Sequence, residues 1–226
     1  MKSTGGTIPL AAVLLLLLCS CCNVGFLWVA ADPDPLVDVS PAANGTFILR
    51  DIFTNGDVTH GPGGTRAGLN ISIYPVLTSE GITLVQFRMK PCGENLPHTH
   101  PRATEILTLV SGGPLQVGVV TTEPEAHIYI IYPGDIMVFP RGLLHFELNV
   151  GGEEAFYISA LNSQNPGVLT AQQAYFQLPL RAAAGGLNQN FKTTEKLQDD
   201  HPTSAVLQLV SKKMGCVPNK DITTKF

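Results

Sequence analysis

Pro97-His98-Thr99-His100-Pro101-Arg102-Ala103-Thr104-Glu105 and, further along, Val138-Phe139-Pro140-Arg141-Gly142-Leu143-Leu144-His145-Phe146 are the two stretches on which the reading of this chain turns. In an extended strand, residues two apart share a face, so His98 and His100 present their imidazoles to one point as a bidentate metal clamp. Pro101 marks where that strand ends or bulges, and the chain beyond it can swing the Glu105 carboxylate back to the same point. In the second stretch Pro140 and Gly142 signal a tight turn between two apolar strands, with His145 just past it among residues that otherwise look like core. A polar ring in such a place needs a partner. A lone histidine on an apolar strand most often finds an ordinary hydrogen bond, so the metal reading rests on the four residues together.

Outward from these stretches, 70–161 consists of short runs rich in Val, Ile, Leu, Phe and Tyr. Turn signals separate them at Pro91 to Gly93, Ser111-Gly112-Gly113-Pro114, Pro133-Gly134-Asp135 and Gly151-Gly152. Many short strands without alternating long helices point to an antiparallel sandwich or barrel and away from a doubly wound parallel sheet. From Asp32 to about Gly68 the chain is a loop-rich lead-in with β-prone pieces such as Thr46 to Leu49. After Pro166 the apolar spacing over Leu169 to Leu178 and Thr203 to Met214, with Val206, Leu209, Val210 and Met214, is compatible with helix. The expected domain plan is 1–31 signal peptide, 32–68 lead-in, 69–165 barrel core and 166–226 a helical C-terminal segment for packing and oligomerisation.

The leader reads as secretory: Lys2, the run Leu10 to Leu18, then small residues at Val29-Ala30-Ala31 before Asp32-Pro33-Asp34-Pro35. Its apolar stretch runs on to Trp28, long enough that an uncleaved membrane anchor is the competing reading. Of five cysteines, Cys19, Cys21 and Cys22 lie inside this leader. Cys92 and Cys216 remain as one disulfide or as two separate buried thiols. Sequons at Asn44-Gly45-Thr46 and Asn70-Ile71-Ser72 agree with secretion. A net charge of −4, with no Lys/Arg stripe, excludes a nucleic-acid partner.

Together the two histidine stretches resemble the two motifs of the cupin superfamily, small β-barrels that hold a metal inside. The first motif runs from Cys92, standing where the family has Gly, through His98, His100 and Glu105 to Gly112. The second has Gly134, Pro140, Gly142, His145 and Asn149 in place. More narrowly, both stretches, with Gln164-Asn165-Pro166-Gly167 and the start Asp32-Pro33-Asp34-Pro35, resemble plant germin-like proteins. The resemblance implies an all-β cupin jelly-roll barrel with a short helical C-terminal segment, the ligand set His98, His100, Glu105 and His145, and manganese as the metal. It also implies extracellular location in apoplast or cell wall, and barrels that pair and close into rings, with a homo-oligomer, a hexamer, as the natural form. Three imidazoles and a carboxylate leave two octahedral positions open and would also suit iron or another divalent ion.

Two departures from the germin pattern matter. The lead-in lacks the family's cysteine pair. Of the two pocket asparagines that oxalate-oxidising germins use, Asn95 matches the one three residues before the first ligand, but the other position is Val85, which removes a donor for orienting a dicarboxylate. Three functions follow as expectations. The first is manganese superoxide dismutase, which needs an open site, access for a small anion or oxygen species, and a donor such as Asn95. The second is oxalate oxidase, and the third is a non-enzymatic extracellular metal- or ligand-binding module. Phe87, Met89, Phe139 and Phe146 are apolar surroundings of the site or plain barrel filling. Arg102 and Arg141 steer an anion or, more simply, make a surface or inter-subunit ion pair. His60, His127 and His201 read as surface or loop histidines, and Asp199-Asp200 as a solvated turn.

Overall fold

The computed structural model describes Asp38 and residues 47–123, 125–200 and 207–220. The leader, Asn44, His201 and 203–206 lie outside the described residues, and so do the expectations that fall on them. After a one-turn helix α1 (Ile52–Asn55), the chain forms the hairpin β1 (Asp57–Gly61) and β2 (Gly64–Gly68). Then come β3 (Thr83–Met89), β4 (Gly93–Thr99), β5 (Glu105–Val120), β6 (Ala126–Ile131), β7 (Ile136–Phe139) and β8 (Leu144–Leu161). All pair antiparallel in one curled sheet of order β1-β2-β3-β8-β4, with β5 joined to β6, β7 and β8. This is a jelly-roll barrel, the architecture that the resemblance implies.

Two of the expected turns are corners instead. Ser111 to Pro114 and Gly151-Gly152 lie inside β5 and β8, which run on together through bulges between Leu109 and Leu115. Glycine is needed there because the backbones touch: a Cβ on Gly151 would lie 1.7 Å from the Gly113 carbonyl oxygen, and one on Gly112 1.8 Å from that of Glu154. Asn149 pins the corner, its Nδ2 donating to the carbonyls of Met89 (2.9 Å) and Glu153 (2.8 Å) and its Oδ1 accepting from Gly151 N–H (2.9 Å). The bend lets each long strand serve both walls of the barrel. Between them Met89, Leu107, Leu115, Val117, Phe139 and Tyr157 are wholly buried, each contributing about 1.5–3 kcal/mol of apolar burial.

Beyond the barrel lie β9 (Leu169–Thr170), α2 (Ala171–Phe176), α3 (Leu180–Leu187) and α4 (Phe191–Asp200). Asp199 and Asp200 end α4 rather than forming a turn, with Asp200 paired to Lys196. The helix expected across Thr203 to Met214 is not formed over 207–214. Leu207 is buried completely in the barrel core, β10 (Gln208–Leu209) pairs with β4, and only Lys212–Met214 makes a 3-10 turn. Helical spacing loses here because edge pairing and a disulfide tie the segment down in extended form. Cys92 and Cys216 are bonded, with Cα atoms 5.9 Å apart, and Val210 N–H donates to the Cys92 carbonyl (2.8 Å). Cys92 has φ 60, a left-handed conformation suited to the glycine it replaces.

Candidate metal centre

The ladder between β4 and β8 delivers the ligands. His98 and His145 are direct cross-strand partners, and the next partners inward are Asn95 and Glu147. Asn95 lies three positions before His98, a spacing that in a regular strand would put them on opposite faces. A register shift between them inserts one extra residue in β4, so both line the same cavity. Along β8 the inward positions are His145, Glu147 and Asn149, all buried, while Phe146 alternates outward against Gly118. Phe146 therefore does not surround the site. Phe139 does, stacked on His145 with ring centroids 4.4 Å apart.

His98, His100, Glu105 and His145 are all buried, and their donor atoms lie within 4.8 Å of one another. Each histidine has its Nδ1 against a backbone carbonyl: Leu96 for His98 (2.8 Å), Gly167 for His100 (2.6 Å) and Leu143 for His145 (2.8 Å). A carbonyl only accepts, so Nδ1 carries a proton and each ring turns Nε2 inward, the nitrogen whose lone pair a metal ion would take. His100 Nε2 then faces Glu105 Oε2 at 3.0 Å and His145 Nε2 faces it at 3.6 Å. Ligand atoms converging so closely call for a cation between them. These residues form a buried three-histidine, one-glutamate metal site, and its tautomers are already those a ligand needs.

Electrostatics agree. Burial first, then repulsion from His145 and His100, pushes His98 down from its usual 6.5 to about 3. Burial works to raise Glu105, but the His100 and His145 ring edges facing it outweigh that and hold the carboxyl well below its ordinary range. The native state thus keeps His98 neutral while the unfolded chain takes up a proton below about pH 6.5, so unfolding binds protons and stability falls as pH drops from about 6.5 toward 3. In denaturant titrations of metal-free protein we expect a loss of roughly 2 kcal/mol between pH 7 and pH 4.5 from this group alone, with little change above pH 7. The raised Glu94 and Glu147 carboxyls work in the opposite direction, so the loss is read as the difference between wild type and His98→Gln. A flat difference across that range would refute it.

One loop orients His100. The segment after β8 carries the Gly167 carbonyl that holds His100 Nδ1, and Arg102 holds the segment. Arg102 Nε donates to the Asn165 carbonyl (2.7 Å), Nη2 donates to Asn165 Oδ1 (2.8 Å), and its backbone N–H donates to Pro166 O (3.1 Å). Gly167 has φ +69, and a Cβ there would lie 2.9 Å from Arg102 Nη2. Arg102 is therefore a positioning residue of the metal loop. Arg102→Ala should weaken metal affinity by about 10–100-fold, with Arg102→Lys, which lacks the planar fork, rescuing little. Metal titration checks it, and unchanged affinity in Arg102→Ala would contradict the assignment.

The site opens into a cavity of about 410 Å³ walled by Val85, Phe87, Asn95, Ser159 and Leu161, with Arg66, Asn70 and Gln164 among its further lining residues. Val85 and Asn95 stand where the sequence reading places them. Two groups were missed. Glu147 is completely buried, and burial together with the Glu105 charge pushes its carboxyl well up, the facing Asn95 amide opposing. Its signal was available, since it lies two residues from His145 on one strand. Arg66 sits in Gly64-Thr65-Arg66-Ala67-Gly68, whose composition reads as loop, so nothing marked it. Neither Arg102 nor Arg141 lines the cavity. His60 is exposed and His127 half-buried, both away from the site.

Residues 51–191 match the cupin family model. The putative germin-like protein 2-3 of Oryza sativa subsp. japonica is 40% identical over 187 residues, 74% of this chain and 82% of that protein. Germin-like protein subfamily 1 member 7 of Arabidopsis thaliana is 38% identical over 168 residues, 64% of this chain and 73% of that one. Among solved structures, a recombinant oxalate oxidase in complex with glycolate matches with a TM-score of 0.67 at 28% identity, covering 74% of this chain and 96% of its own. A barrel of this topology, with three histidines and a glutamate inside it and relatives of this closeness, belongs to the cupin family and, within it, to the germin-like proteins.

Proposed function

We propose that this chain is a secreted manganese protein that dismutates superoxide. The observation that carries the reading is the buried four-ligand cluster facing a cavity in whose wall Val85 stands where oxalate-oxidising germins carry an asparagine. Bound there, manganese would supply the reversible one-electron exchange that dismutation requires. One superoxide gives up an electron and leaves as dioxygen, while a second takes up one electron and two protons and leaves as hydrogen peroxide. The protein's part is to keep three imidazoles neutral, to set one carboxylate charge against the ion, and to offer the Asn95 amide as a donor to an oxygen ligand. The leader and the germin-like relatives support export to the extracellular space. Exposed Ile106, Ile136 and Val138 on paired strands β5 and β7 support a homo-oligomer, a hexamer being the form expected.

Oxalate oxidase is the second reading, favoured by the likeness to an oxalate oxidase that binds glycolate. A non-enzymatic binding module is the third. Assay of the metal-loaded protein for superoxide dismutation and oxalate consumption decides among them. Dismutation without oxalate turnover is expected; oxalate turnover would install the second reading, and bound metal with neither activity the third.

A further inference from the structure

Arg66 on β2 is the cross-strand partner of Phe87 on β3, which is the partner of Tyr157 on β8. Partners in a ladder share a face. Phe87 and Tyr157 stack inside the barrel with centroids 4.5 Å apart, so Arg66 belongs to the same inner row, and its side chain lines the metal cavity. The adjacent row is Gly68, Val85 and Ser159. A Cβ on Gly68 would lie 2.6 Å from Arg66 Nη2, so the guanidinium lies over Gly68, at the end of the row in which Val85 offers no donor. The strand next door brings a cationic fork to the wall that lacks an amide.

Among the described residues that line the cavity, Arg66 is the only one with a Lys or Arg side chain. Among the described residues its one ion contact, to Asp57, is long at 3.5 Å, and Asp57 is half exposed. Such a pair is weak and leaves a planar fork able to take a carboxylate in two parallel bonds. Val85, Phe87 and Leu161 give the same cavity an apolar wall. A volume of about 410 Å³ is that of a site for a small organic molecule and is far roomier than a diatomic anion needs.

We propose that Arg66 is the carboxylate-recognition residue of this cavity, clamping an organic carboxylate whose carbon skeleton lies against Val85, Phe87 and Leu161. The inference rests on the reading of this cavity as the open face of the metal centre, and not on dismutation.

Calorimetric titration of the metal-loaded protein with benzoate, and with benzamide as its uncharged counterpart, tests it. Arg66→Gln should weaken benzoate binding at least about tenfold and leave benzamide unchanged, and Arg66→Lys should restore part of the loss. Gly68→Ala should weaken benzoate as well, because its methyl group displaces the guanidinium while the charge stays in the protein. Wild-type metal content and near-UV circular dichroism certify the variants. Failure of the wild type to bind benzoate, equal benzoate affinity in wild type and Arg66→Gln, or parallel loss of benzamide overturns the proposal. Dismutation is assayed on the same preparations. Arg66-dependent benzoate binding without dismutation would sink the functional reading alone, whereas normal dismutation with Arg66-independent binding would sink this one alone.

Discussion

Replacing His98 and His145 together by alanine is expected to abolish metal binding while the barrel stays folded. The two rings face each other across the β4–β8 ladder with centroids 4.2 Å apart, and both Nδ1 protons are already committed to backbone carbonyls. What remains is His100 and Glu105, at most a two-point clamp. Changing an orienting partner of a ligand costs about 10–100-fold in affinity, so losing two ligands outright should exceed about a thousandfold. Stability should move far less, because deleting two buried rings leaves space but also removes the desolvation that holds His98 near pKa 3. Manganese content after dialysis and near-UV circular dichroism read the two effects separately. Metal retained at wild-type level would place the ion elsewhere.

Cys216→Ser is expected to cause the largest loss of stability among conservative substitutions. The Cys92–Cys216 bond closes a loop with a sequence separation of 124, for which chain entropy gives a ceiling of roughly 5 kcal/mol and measured cases give about 2–5 kcal/mol. More than entropy is at stake, because the bond anchors the segment that seats Leu207 in the core and β10 on the edge of β4. For a chain of this size such a loss lowers the melting temperature by on the order of 10 °C. Thermal unfolding of wild type and variant, with and without reductant, checks it. Reductant should reproduce the variant's loss in the wild type and leave the variant itself unchanged. An unchanged melting temperature in Cys216→Ser would mean that packing alone holds the C-terminal segment.

The metal ligands were legible because their chemistry is local: two histidines at strand spacing, a proline that ends the strand, and a histidine just past a Pro/Gly turn. The barrel was legible from the density of short apolar runs. What escaped the sequence depends on distant contacts. The glycine pairs at 112–113 and 151–152 look like turns, and only the approach of one strand to the other shows that they are corners in continuous strands. The stretch 207–214 carries helical spacing, but the disulfide and the β4 edge outcompete local propensity. Asn95 was found by resemblance, and the bulge that turns it inward could not be read from spacing. Arg102 and Arg66 look alike as surface cations, yet one ties down the loop that orients His100 and the other reaches the cavity.

Elemental analysis of the chain, purified without added metal, tests the central claim most directly. The expected result is about one divalent ion, manganese, per chain, as three neutral imidazoles and one carboxylate would hold it. Protein that is folded, disulfide-bonded and free of stoichiometric metal would contradict it.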